Sequence, residues 1–236
     1  MKTTIHRADS RGHANHGWLD TYHTFSFANY YDPERIHFGA LRVLNDDWVE
    51  GGQGFGKHPH DNMEIVTIML EGELRHSDSM GHSQTLVPNE VQAMSAGTGI
   101  FHSEFNNLDD KPLRLLQIWV FPEQKNLKPR YEQKMFDSEQ RVDNWQLLAG
   151  PNQPNALDIK QDAYFSRATL SEGNNLNYEL HNDKNGVYLF LIDGQLSVNG
   201  GLQLNKRDGV GISEAHQIPL QAQKKSDVLA IEVPMF

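Results

Sequence analysis

The chain has 236 residues, 38% hydrophobic and 22% charged, enough apolar content to bury a core and too much for a disordered segment. Lys and Arg number 21 and Asp and Glu 31, a net charge of −10 that repels phosphate backbones, so nucleic acid is not an expected partner. The absence of cysteine excludes disulfides, thiolate metal sites and thiol nucleophiles. The opening Met1-Lys2-Thr3-Thr4-Ile5-His6-Arg7 lacks the apolar stretch of a signal peptide, and no window approaches the ~18 apolar residues of a membrane span. A soluble, cytoplasmic protein without membrane attachment is therefore expected. Twelve histidines, several of them grouped, direct attention to metal chemistry.

The first stretch, Arg11 to Trp18, is rich in Gly and His and reads as loop. His13 and His16 have no carboxylate beside them in sequence and are expected to bond loop backbone. His23, Phe25 and Phe27 alternate with Thr24 and Ser26, the period of a strand, before a turn at Asp32-Pro33. Strand pattern returns from Ala40 to Asn45, turns at Asn45-Asp46-Asp47, and resumes at Trp48-Val49. Gly51, Gly52, Gly54 and Gly56 loosen the chain before His58. With neither a following helix nor a Lys-Ser/Thr pair, they do not form a phosphate loop.

Short strands then follow at regular spacing: Glu64 to Leu70, Glu73 to Asp78, Ser83 to Val87, Val91 to Ser95, Phe101 to Phe105 and Leu113 to Phe121. Gly or Pro turns separate them, Pro122 ends the last, and no helix-period segment intervenes. The pattern is that of an all-β sandwich, jelly roll or barrel. From Pro122 to about Asp143 the composition turns polar and reads as a surface connector. A second unit repeats the theme, with strands at Asp162 to Leu170, Leu176 to Leu180 and Val228 to Val233, and a hairpin over Gly186 to Gly200 turned at Asp193-Gly194. The apolar strand followed by an acidic residue and Gly echoes Glu64 to Gly72 and suggests internal duplication. The chain divides accordingly into an N-terminal unit, 1–134, and a C-terminal unit, 135–236.

The N-terminal unit holds His58-Pro59-His60 and His102-Ser103-Glu104. In a strand, residues i and i+2 share a face, so each stretch aims two donors together. Two such pairs on neighbouring strands would converge on one divalent transition ion and leave coordination positions open for substrate and oxygen. Glu64 also has the right parity to reach the site on an unbroken strand, and geometry alone does not choose between Glu64 and Glu104, because a bulge after Pro59 would turn Glu64 away. The C-terminal unit has no His-x-His; His181 and His216 stand alone, so no metal is expected there.

The run from Gly52 through His58, His60 and Glu64 resembles the first cupin motif, and Gly99-Ile100-Phe101-His102-Ser103-Glu104-Phe105-Asn106 resembles the second, with Gly97 where a proline is usual. Together with Arg11-Gly12-His13, Met63-Glu64, Gln117-Ile118-Trp119 and Pro129-Arg130-Tyr131-Glu132-Gln133, these motifs make the chain similar to the pirin family of bicupins, close to bacterial members described as quercetin 2,3-dioxygenases. The resemblance implies two tandem cupin barrels (double-stranded β-helix, jelly-roll-like), with iron held in the first by His58, His60, His102 and Glu104 and with Glu64 outside the ligand set. Fe(II) is the metal implied; Mn, Ni, Cu, Co and Zn accept the same donors. The activity implied is cleavage of a flavonol such as quercetin by O2 with release of carbon monoxide, Glu104 taking the substrate hydroxyl proton. Phe25, Phe27, Phe55, Phe101 and Trp119 are candidates for the pocket wall. The family also implies a second class of function, an iron-dependent, redox-sensing regulator that binds a protein partner.

Overall fold

The computed structural model describes residues 1–236 and is built almost wholly of β-strands. Along the first half these are β1 (Lys2–His6), β2 (Gly12–Asn15), β3 (Leu19–His23), β4 (Leu41–Val49), β5 (Gly54–His60), β6 (Glu64–Glu71), β7 (Leu74–Asp78), β8 (Ser83–Leu86), β9 (Glu90–Ser95), β10 (Ile100–Asn106), β11 (Leu113–Val120) and β12 (Arg130–Met135). The second half contributes β13 (Gln146–Ala149), β14 (Tyr164–Leu170), β15 (Asn175–Glu179), β16 (Asn185–Val198), β17 (Leu202–Asn205), β18 (Gly209–Ser213) and β19 (Gln217–Pro234). No helix is long and apolar enough to cross a membrane.

The first barrel closes a seven-stranded sheet, β12-β9-β6-β11-β4-β3-β2, over a four-stranded sheet, β5-β10-β7-β8. The period-2 alternation of the large sheet sorts its side chains onto two faces. Leu44, Val66, Ile68, Leu116 and Ile118 face the second barrel, where they form one core with Phe165, Tyr188, Phe190, Leu229 and Ile231. The alternate residues line the interior of the first barrel. At the register His23↔Asn45↔Gln117↔Thr67↔Gln92 this inner face carries an unbroken polar row across five strands. The second barrel is a single curled eight-stranded sheet, and its interior is filled by apolar side chains including Leu189, Leu191, Leu196, Val210, Leu220 and Val228.

Several elements differ from the sequence expectation, each for a long-range reason. Gly12–Asn15 is a strand, because β3 supplies a pairing partner. Strand β3 stops at His23 instead of running to Phe27; the Ser26 hydroxyl bonds both the amide and the carbonyl of Asp32, and Ala28 adopts φ 49, which folds this stretch back. The Asn45-Asp46-Asp47 turn does not form, and β4 runs straight through it. Asn45 and Asp47 are paired across to His23 and Thr21, while Asp46 lies near Arg11, Arg114 and Arg207 at 3.3, 3.7 and 3.4 Å. The polar connector contains β12, an edge strand on β9. Asp193-Gly194 is a bulge inside the continuous β16, not a hairpin turn. Gly194 takes φ 98, and a Cβ there would lie 2.4 Å from the Lys225 carbonyl. The reversal comes later, at Asn199 and Gly200, both with positive φ. The division at 134/135 meets two exceptions: it cuts β12, whose Met135 still pairs with Glu90 in the first barrel, and β1 leaves the N-terminal unit to pair with β18 in the sheet of the second barrel, Lys2 opposite Ser213.

Candidate metal centre

Strands β5 and β10 pair antiparallel with His102 opposite His58, which sets the two histidine stretches side by side. Between this pair and Glu104↔Phe55 the register slips by one residue, with Gly56 and Lys57 on β5 facing only Ser103. The bulge restores parity, so Phe55, His58 and His60 all face one cavity. Gly54 permits the close approach of the two strands; a Cβ there would lie 2.2 Å from the Glu104 carbonyl.

The rings of His58, His60 and His102 surround one point, with centroids 4.4 Å apart for His58 and His102 and 4.8 Å for each of the other two pairs. One nitrogen from each lies within 4.8 Å of the others. His58 Nδ1 meets the Gly56 carbonyl at 2.8 Å, which leaves Nε2 for the cluster. His102 is 1% exposed, and neither of its ring nitrogens has a protein partner. Burial first, and then the neighbouring imidazoles, lower His60 and His102 to about 3, so both rings are neutral with lone pairs available. A buried imidazole with two orphaned nitrogens, facing the imidazoles of His58 and His60, fits a divalent transition metal and has no other account in the packing.

Glu104 is buried beside His102, and burial raises its carboxyl above the usual range. Its two oxygens accept from the side-chain amides of Gln92 at 3.3 Å and Gln117 at 3.0 Å. Those amides belong to the polar row of the large sheet, which thereby orients a carboxylate carried by the small sheet. Glu104 groups with His102 and with a further histidine, His76, whose ligand atoms lie within 4.8 Å of one another. The ring of His76 is fully buried, stacks on Tyr131 at 4.6 Å, and places Nε2 3.4 Å from Asp78 Oδ2. Sequence reasoning misses His76; the available signal is its i+2 spacing from the apolar Leu74.

Glu64 lies elsewhere. Asn62, at φ 46, breaks the strand after His60, so the parity from His60 to Glu64 does not carry. The Glu64 carboxylate accepts from Ser95 Oγ at 2.8 Å and from the Lys160 amide at 3.0 Å, at the boundary with the second barrel.

The cavity over the histidines has a volume of about 300 Å³. Phe27, Phe55 and Trp119 line it, together with His16, Thr21, His23, Asn45 and Asp47. Phe25 and Phe101 do not. Phe25, redirected by the early end of β3, is buried between the barrels against His6 and Tyr188. Phe101 alternates outward on β10, 47% exposed under Lys57. His13 pairs with Asp20 on the surface, at 2.5 Å. Asp47, also missed from the sequence, is 5% exposed, and burial pushes its carboxyl up to about 7 against the lowering effect of its bond from Thr21. In the second barrel His181 stacks on Tyr164 and bonds Glu232, and His216 pairs with Asp183 on the surface.

Comparison with known proteins accounts for this arrangement. Residues 4–120 match the family model described as Pirin, and residues 147–233 match the quercetinase C-terminal cupin domain. The chain is 43% identical over 231 residues to a protein of Escherichia coli K12 named quercetin 2,3-dioxygenase, covering 98% of both. It is 39% identical over 226 residues to a pirin-like protein of Caulobacter vibrioides, covering 95% of this chain and 96% of that one. A crystal structure of the E. coli bacterial pirin YhhW in complex with nickel(II) superposes with a TM-score of 0.94 at 42% identity, covering 100% of both chains. Two cupin barrels, a histidine cluster in the first and similarity along the whole chain lead to one conclusion: this chain belongs to the pirin family.

Proposed function

We propose that the first barrel is the active site of a metal-dependent dioxygenase that opens the ring of a flavonol such as quercetin, with Fe(II) as the working metal held by His58, His60, His102 and Glu104. The observation that carries the reading is His102, buried with both ring nitrogens unpartnered and facing His58, His60 and Glu104 under a half-apolar cavity. The relatives named quercetin 2,3-dioxygenase and the nickel complex of YhhW support it. The metal, when bound, supplies a Lewis-acidic point for a substrate oxygen and redox capacity toward O2.

The protein supplies the remainder. Phe27, Phe55 and Trp119 hold a flat ring system and exclude water. The Gln92 and Gln117 amides hold the Glu104 carboxylate in one orientation. Glu104, with its proton affinity raised by burial, receives the proton of the flavonol hydroxyl at a carboxylate oxygen.

The test is oxygen uptake by iron-loaded protein with quercetin, read in parallel as loss of flavonol absorbance. Wild type should consume O2 with substrate, and His60→Ala should abolish uptake. Metal-replete wild type that takes up no oxygen with any flavonol would overturn the reading.

A further inference from the structure

The cavity is not lined evenly. Its apolar surface comes from Leu19, Phe27, Ala28, Phe55 and Trp119, and His58 and His60 reach it from the small sheet. Strands β3 and β4 of the large sheet present a separate polar wall. Thr21 stands opposite Asp47, and His23 stands opposite Asn45. Thr21 Oγ1 donates to Asp47 Oδ1 at 2.5 Å, and His23 Nδ1 meets Asn45 Oδ1 at 2.9 Å. The second carboxyl oxygen of Asp47, Oδ2, receives no bond from any protein group, although the residue is 5% exposed.

The other carboxylate that lines the cavity, Glu104, is held at both oxygens, by Gln92 and Gln117. A polar atom left without a partner in a buried site is costly unless a ligand or water meets it, and Oδ2 is not among the fully enclosed atoms of the barrel. A carboxyl fixed on one side by its strand neighbour and open on the other has the geometry of a hydrogen-bonding anchor. It belongs to a different sheet from His58, His60 and His102, so a ligand that touches both must span the cavity.

We propose that Asp47, fixed by Thr21, is a substrate-positioning residue that takes a ring hydroxyl remote from the oxygen placed at the histidine cluster. The site then selects flat aromatic ligands with two separated oxygen groups over those with only one. The inference rests on the flavonol reading of the same cavity and adds to it the second point of attachment. A site built to pair a hydroxyl discriminates strongly against the analogue that lacks it, because its own polar group is left unpaired.

The test compares dissociation constants for quercetin and 3-hydroxyflavone, which lacks the remote ring hydroxyls, measured by quenching of tryptophan fluorescence; Trp119 lies in the cavity wall. Wild type should prefer quercetin, and Asp47→Ala should reduce that preference by about 10- to 100-fold, the range for leaving a buried hydrogen-bonding group without its partner. Asp47→Asn, which keeps an acceptor, should recover part of it. Metal content equal to wild type serves as the check on folding, and Asp47→Leu, closer in volume, takes the place of the alanine variant if that protein loses metal. An unchanged quercetin to 3-hydroxyflavone ratio in a metal-replete Asp47 variant overturns this inference alone. Wild type that binds neither flavonol overturns the flavonol reading, and this inference with it.

Discussion

Two buried glutamates, Glu104 and Glu64, have opposite surroundings. Glu104 is held by two side-chain amides and adjoins imidazoles. Glu64 bonds a serine and a backbone amide of the other barrel. Their variants should therefore separate by readout. Glu104→Gln should lower the metal content of protein loaded with Fe(II), measured by elemental analysis, with Glu64→Gln retaining it. Glu64→Ala should instead cost about 1–3 kcal/mol in denaturant unfolding, because Ser95 and the Lys160 amide lose a buried acceptor. Metal loss in Glu64→Gln and not in Glu104→Gln would reverse the assignment. The three histidines are legible in the sequence because i, i+2 spacing on strands is a local signal. His76, Gln92, Gln117 and Asp47 are not legible as site residues, since each is an ordinary polar residue on its strand. Only pairing with distant strands turns them inward, as Thr21↔Asp47 and Gln117↔Thr67 do.

Among the elements, β1 shows how strongly a short strand can be committed. Its first four residues are exposed, and only His6 is buried, with Nδ1 2.9 Å from the Tyr188 hydroxyl and its ring edge-on to Phe25. Burial, reinforced by Arg35, lowers His6 to about 4 from an ordinary value near 6.5. The unfolded chain therefore binds a proton at His6 between pH 6.5 and 4 while the folded chain does not. The stability contributed by this residue is complete above pH 6.5 and is lost as the pH falls toward 4. In His6→Gln that dependence should vanish. The difference in thermal midpoint between wild type and variant should grow from pH 4 to 6.5 and level off above, and a constant difference would refute it. The strands with apolar alternation, such as Glu64–Glu71 and Leu113–Val120, are readable locally. Strands β1, β2 and β12 are edge strands whose composition resembles loop; only a neighbour with free backbone groups makes them strands.

Over the whole molecule, the two barrels share their largest core. Phe165, Phe190, Leu229 and Ile231 of the second barrel pack against Leu44, Ile68 and Ile118 of the first. Exposing each of these side chains would cost about 1.5–3 kcal/mol. The protein should therefore unfold in one calorimetric transition, with calorimetric and van't Hoff enthalpies equal, and residues 135–236 expressed alone should not give a folded monomer. Two separated transitions would show that the shared core does not couple the barrels. The duplication visible in sequence conceals this dependence, because a near-continuous apolar run such as residues 65–70 reveals that a strand is covered on both faces but not what covers the outer one.

The pairing of β1 with β18 also bears on synthesis. Lys2–His6 leaves the ribosome well before its partner Gly209–Ser213, with the whole of the first barrel and most strands of the second made in between. Strand β1 must therefore wait, unpaired, until β18 has been made. A ribosome stalled anywhere between β1 and Gly209 holds a chain in which β1 has no sheet to join.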